Sequence, residues 1–337
     1  MSGLTLTAGL SFSGGFTFTE APVENTAAWF SGGYLGFNGS AYVYTSSVDR
    51  ITYATDTATA SVRGPLNSTK NSAGAAGNTT DGWVVGNQGA VSPADRVERI
   101  TYATDTATAS IRGPLSIGLH SMGAAGNTTD GWFGGGNGQA PLYNNSYVQR
   151  ITYATDTATA SVRGPLSAAR YQVAAAGNTT NGWFFGGGGY RSPVDGGPYS
   201  YSTVDRITYA TDTATASVRG LLSSNRANLA ASGNTTDGWA GGGYSRSGPA
   251  YADTSTSTVQ RITYATDTAT AVVRGPLSSN RAGLAASGNT TEAWFGGGVG
   301  LVSIVNRITF ATDTNTASVR GPLSVARRSL AAAGGIQ

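Results

Sequence analysis

The chain has 337 residues, of which 12% are charged, 49 are glycine, none is cysteine and one is histidine, His120. These counts exclude a disulfide scaffold, a Cys-based zinc site, a thiol nucleophile and a His-rich metal site. A net charge of +3 over this length is no nucleic-acid footprint, and no apolar run reaches the ~20 residues of a membrane helix. Length alone predicts about two domains. The opening Met1-Ser2-Gly3-Leu4-Thr5 has no basic region, which predicts no secretory signal.

Residues 1–24 come first and stand apart from the rest. They contain three hexads, Gly3–Ala8, Gly9–Gly14 and Gly15–Glu20, with apolar side chains at the second and fourth positions of each. Such a strand has one apolar face that it cannot bury alone. Two readings are open: a tail or extra edge strand, and a short β-stalk in which several chains cover each other's faces. The second makes 1–24 an attachment or homo-oligomerisation segment.

From residue 25 onward the chain repeats itself. The segment Arg-Ile-Thr-Tyr-Ala-Thr-Asp-Thr-Ala-Thr-Ala-Ser-Val-Arg-Gly-Pro-Leu recurs six times with few changes, starting at Arg50, Arg99, Arg150, Arg206, Arg261 and Arg307. A tryptophan, usually followed by a glycine run, also recurs six times, at Trp29, Trp83, Trp132, Trp183, Trp239 and Trp294. From each of the first five arginines to the next tryptophan is always 33 residues, whereas the tryptophan-to-arginine gaps are 21, 16, 18, 23, 22 and 13. All length variation therefore falls in one connection per repeat.

Within each unit the pattern is β. Ile51 and Tyr53 alternate with polar residues, Thr57–Arg63 alternates again, and Thr55-Asp56-Thr57 between them reads as a hairpin turn. Gly64-Pro65-Leu66 breaks the sheet. A small-residue strand such as Asn228–Ser232, a Gly-Asn turn and the tryptophan strand follow. Four short antiparallel strands per repeat, six times over, predict a six-bladed β-propeller, with the Ala-Ala-Gly runs fitted to the narrow axis. A ring must close. The seventh tryptophan would fall at position 340, beyond Gln337, so the strand within about 328–334 is predicted to complete the blade begun by 27–33.

The repeat resembles the kelch family over about 25–337. Kelch units carry an arginine, a strand ending in Gly-Gly, a strand bearing tyrosine and a Pro-Leu-like exit, matched here by Arg226, Gly242-Gly243, Tyr264 and Pro276-Leu277. Kelch usually has tryptophan on the fourth strand; this chain has Ala or Thr there and carries its tryptophan just before the glycines. The near-identical units, with Asn-Thr-Thr-Asp-Gly-Trp and abundant Ala and Thr, also look like kelch-like repeats in structural and tail-fibre proteins of marine tailed phages. That resemblance implies a virion protein assembled in the host cytoplasm, with 1–24 meeting other virion proteins.

Positions shared by all six units suit a framework. Twelve arginines and the aspartates Asp56, Asp105, Asp156, Asp212, Asp267 and Asp313 are expected to bond between blades. One carboxylate per turn is too few for calcium. The tryptophans are expected to pack rather than to present ligand platforms. The Asn-Thr-Thr triplets match a glycosylation sequon, but a Gly-Asn turn explains them without sugar. His120 has no counterpart in other repeats and no neighbouring nucleophile elbow, so neither a catalytic role nor a cofactor is expected.

The variable connections, roughly 34–47, 86–96, 137–147, 188–203, 244–258 and 298–304, are left as the functional candidates. Successive connections in an antiparallel blade alternate ends, so all six share one face of the disk. They hold Tyr34, Tyr42, Tyr44, Tyr143, Tyr147, Tyr190, Tyr199, Tyr201, Tyr244 and Tyr251, with Arg191 and Arg246, amid Ser, Gly, Asn, Pro and Thr. Binding loops use this mixture, because tyrosine adds contact area at low entropy cost. The alternative is unconstrained drift, with the tyrosines packed back on the blades. A tail-fibre or receptor-binding adhesin that meets a host-surface glycan or protein is the leading expectation. A capsid decoration protein and a cytoplasmic kelch-type interaction module are the alternatives. A glycan-cleaving enzyme would need paired carboxylates, and the loops offer only Asp95, Asp195 and Asp253.

Overall fold

The computed structural model describes residues 25–88, 94–138, 143–190, 198–246 and 254–334, with Tyr190 and Pro198 described by backbone alone. The hexads of residues 1–24 lie outside it. Six four-stranded antiparallel sheets form the ring. Blade 2 shows the pattern: Gly74–Gly77 at the axis, then Asp81–Val85, Val97–Thr101 and Ser110–Ile111 at the rim. Blade 1 takes its axial strand from the far end of the chain. Ala331–Ala333 pairs with Ala27–Ser31 in the register Trp29↔Ala333, Phe30↔Ala332, Ser31↔Ala331. The closure expected from the missing seventh tryptophan is therefore present.

Register explains why these residues recur. Trp29 lies opposite Arg50, Arg50 opposite Ser61, and Arg63 is two residues beyond Ser61. A period of two puts the indole and both guanidinium groups on one face of the blade, toward the next blade. The other face carries Ala28, Phe30 and Ile51, which cluster with Trp294 and Val305 of blade 6. Each major core lies between two blades rather than inside one. Burial of these faces drives the ring to close, because an open end would leave a whole apolar face wet.

The predicted Thr55-Asp56-Thr57 hairpin is wider than expected. The third strand ends at Thr52, a 3₁₀ turn covers Tyr53–Thr55, and the fourth strand starts only at Ser61. The turn swings the Tyr53 ring onto Trp294, with centroids 4.0 Å apart. It also aims the Asp56 carboxylate at the Trp294 indole, 2.8 Å away. A two-residue turn would hold both side chains over their own blade.

The same junction occurs six times. Asp105 of blade 2 accepts from the Trp29 indole at 2.8 Å and from Arg50 at 3.0 Å, with Arg63 at 3.5 Å. Asp156 holds Trp83, Arg99 and Arg112 in the same way, at 2.9, 3.1 and 3.3 Å. Asp56 closes the circle with Arg307 and Arg320. The six tryptophans stack on the tyrosine of the next blade, or on Phe310, at 3.7–4.0 Å. Gly64 donates its N–H to the Asp105 carbonyl at 2.8 Å, and a Cβ there would overlap the Ala107 carbonyl oxygen. Glycine at this exit is a requirement of close blade approach.

Candidate functional site

The variable connections leave the second strand of each blade and return on the third, all at one end of the ring. The three longest fold into ribbons: Tyr34–Phe37 with Tyr42–Tyr44, Gly188–Tyr190 with Pro198–Ser200, and Tyr244–Ser245 with Thr254–Ser255. The shorter three form no ribbon among the described residues. Extra length is thus spent on extra hydrogen-bonded structure.

A buried cation pins the base of most loops. Arg226 donates to the Gly242 and Thr258 carbonyls at 2.9 and 2.7 Å, where the blade 5 loop leaves and returns. Arg281 does the same with Gly297 and Ile304, both at 2.9 Å. Lys70 donates to Gly86 and Arg96 at 3.3 Å and sits 3.5 Å from Glu98. Arg170 pairs with Asp205 at 2.9 Å, and Arg327 with Asp49 at 3.2 Å. Arg226 and Arg281 face the amides Gln260 and Asn306 at that place instead of a carboxylate. Burial lowers both guanidinium pKa values to about 10. Blade 3 has Leu119 and Gln149 at these positions, so cation and carboxylate are both absent there.

Just after each anchor comes a residue that the sequence analysis missed. Ser72, Ser121, Gln172, Asn228, Gly283 and Ser329 all have φ between 54° and 65°. Their backbone groups form one closed circle: Ser121 N–H donates to Ser72 C=O, Gln172 to Ser121, Asn228 to Gln172, Gly283 to Asn228, Ser329 to Gly283 and Ser72 to Ser329. The distances run from 2.6 to 3.0 Å. The left-handed backbone costs roughly 1 kcal/mol at each non-glycine member. It turns each N–H along the circumference, so every donor finds an acceptor on the neighbouring blade.

The circle separates two spaces. On one side runs a narrow axial channel, lined by alanine and glycine of the innermost strands. On the loop side opens a basin of about 510 Å³. Its wall contains Tyr34, Tyr42, Tyr44, Asn71, Gln88, Tyr244, Arg246, Ser255, Val299 and Arg328, with Ser72, Gln172, Asn228 and Ser329 of the circle at its floor. The blade 1 loop and the last repeat meet here. Tyr34 and Arg328 exchange backbone hydrogen bonds at 2.8 and 3.2 Å, and the Arg328 guanidinium lies 4.7 Å from the Tyr34 ring centroid. Arg246 lies over Tyr244 at 4.5 Å and donates to the Tyr171 hydroxyl at 3.3 Å. The Tyr244 hydroxyl donates to Gln172 Oε1. Burial, with Tyr34 and Tyr42 beside it, raises the Tyr44 phenol pKa, so that group stays neutral at pH 7.

The structure therefore brings Tyr34, Tyr42, Tyr44, Tyr244 and Arg246 to one basin. Tyr199 and Tyr201 form an edge-on pair, centroids 4.9 Å apart with hydroxyls 2.6 Å apart. Their strand adjoins the basin through Ser200, whose hydroxyl accepts from the Arg246 N–H at 3.1 Å. Tyr143 and Tyr147 are exposed on blade 3 and do not line it. Arg191 and Tyr251 lie outside the described residues, as does the side chain of Tyr190. Arg328 was missed because it directly follows the framework arginine at 327. The circle was missed because its six members share a backbone angle and no side-chain type.

His120 sits beside this region. Its Nδ1 is 3.0 Å from Ser121 Oγ, and burial pushes the imidazole down to about 4. Ser121 shares its left-handed backbone with the whole circle, so that conformation does not single it out as a nucleophile. Among the described residues, no carboxylate lines the basin and no group of three or more His, Asp or Glu is placed to hold a metal ion. No helix is long and apolar enough to cross a membrane. Six antiparallel four-stranded blades with a closure strand are consistent with kelch-type repeats. No protein-family model matches the chain, and no curated protein matches it.

Proposed function

We propose that the chain is a non-enzymatic binding protein that presents its loop face to a ligand, and that it serves as the receptor-binding component of a tailed-phage virion. One observation carries the binding reading: the connections that vary between repeats converge on a basin walled by tyrosines and two arginines. A framework of six equal junctions has no single site, and asymmetry is what a single ligand requires. The tail-fibre setting is supported by the likeness of the repeats to phage structural proteins and by the apolar hexads of 1–24, which suit attachment to other virion proteins.

The test is adhesion of the labelled full chain to a panel of intact bacterial cells, beside the double variant Tyr42→Ala, Tyr44→Ala. Adhesion to at least one strain, reduced in the variant at unchanged melting temperature, is the expected result. Adhesion to none, or equal adhesion by both proteins, overturns the reading.

A further inference from the structure

Among the described residues, every polar group on the basin wall is neutral or cationic. Asn71, Gln88, Gln172 and Asn228 are amides, the serines and tyrosines offer hydroxyls, and Arg246 and Arg328 are the only charges among the described lining residues. Two features make Arg328 a suitable reader of negative charge. Its guanidinium forms no ion pair among the described residues, unlike the framework arginines that share Asp56 and its five equivalents. It also lies over the Tyr34 ring, 4.7 Å from the centroid, with its backbone tied to the same residue on both sides. A stacked guanidinium keeps its donors directed outward and loses little freedom when it binds.

We infer that the basin takes an acidic saccharide, with Arg328 donating to a carboxylate or sulfate of the sugar and the Tyr34, Tyr42 and Tyr44 rings flanking the pyranose face. This rests on the binding reading above and names its ligand class. The chemistry agrees at each point. A sugar ring presents C–H groups to aromatic faces and hydroxyls to amides and serines. The negative group meets a preoriented fork of N–H donors. The described part of the wall carries no carboxylate to repel an acidic ligand. The basin volume of about 510 Å³ suits one or two sugar rings rather than a protein segment.

The test is an array of saccharide pairs that differ only in charge: oligogalacturonate and its methyl ester, heparin fragments before and after desulfation, and a sialylated glycan with its asialo form. The full chain is expected to bind at least one acidic member roughly tenfold or more tightly than its neutral partner, with affinity that falls as salt rises. Arg328→Gln should remove that preference, and Arg328→Lys should restore part of it. Equal binding of the two members in every pair overturns the inference, as does binding to no acidic member, or a preference that survives Arg328→Gln. The carboxylate and sulfate pairs separate the two anion sources. Cell adhesion that persists without a charge preference would leave the broader reading standing and sink only this one.

Discussion

The inter-blade junction and the loop face are built on opposite plans. At each junction the same carboxylate receives the same indole and the same two guanidinium groups, six times over. On the loop face no two connections are alike, and the basin draws on blades at both ends of the chain. Equality at the junctions distributes stability around the ring and leaves no position special. Inequality among the loops creates one site. Between the two lies the layer of buried anchors, half regular and half varied, where Arg170 pairs with the carboxylate Asp205 but the equivalent position beside Arg226 is the amide Gln260.

Opening the ring should have the largest effect. Truncation after Arg327 removes Ala331–Ala333 and exposes the edge of Ala27–Ser31. The shortened chain should lose its cooperative melting transition and aggregate, and an unchanged thermal melt would refute closure as the source of stability.

Removing one junction carboxylate comes next. Asp156→Ala strands the Trp83 indole and the Arg112 guanidinium and leaves Arg99 only Asp81 at 3.4 Å, and should cost about 3–5 kcal/mol. Denaturant melts of the same change at Asp105 or Asp212 should show nearly equal costs. Strongly unequal costs would break the equivalence of the junctions.

Smaller, and opposite in sign, is Gln260→Glu. It replaces a buried amide nitrogen that has no hydrogen-bond partner with an oxygen facing the buried cation Arg226. Stability should rise by about 1–3 kcal/mol, because the new carboxylate would face Arg226 as Glu98 faces Lys70 and Asp205 faces Arg170. A lower denaturation midpoint would mean that the anchor is satisfied by the Gly242 and Thr258 carbonyls alone.

Least of all should be the double variant Tyr199→Ala, Tyr201→Ala. These rings pair edge-on in a loop ribbon outside the inter-blade cores, so the melting temperature should hardly move while surface binding falls. A large drop in melting temperature would make this ribbon part of the framework.

Much of the ring was legible because its determinants are side chains that repeat. A constant distance from arginine to tryptophan marks a rigid unit, and the expected pairing of the last small-residue strand with the first tryptophan strand is present as Ala331–Ala333 on Ala27–Ser31. The width of the Tyr53–Thr55 turn was not legible. Alternation cannot tell a tight turn from one that must deliver Tyr53 and Asp56 to a neighbouring blade. The aromatic half of the basin showed in the composition of the loops. Its floor did not, because Ser72, Ser121, Gln172, Asn228, Gly283 and Ser329 are joined through backbone atoms that any of several residues can supply.

By itself, then, the sequence determined the number of blades, the place of closure, the framework residues and the face on which variation lies. These follow from periodicity, and periodicity is a property of the chain. Only the tertiary structure decided which variable residues meet. Tyr34 and Arg328 stand near opposite ends of the chain, yet closure sets the guanidinium 4.7 Å from the ring. Nothing local in either segment encodes that contact; it exists because six blades of fixed width bring the last repeat back to the first.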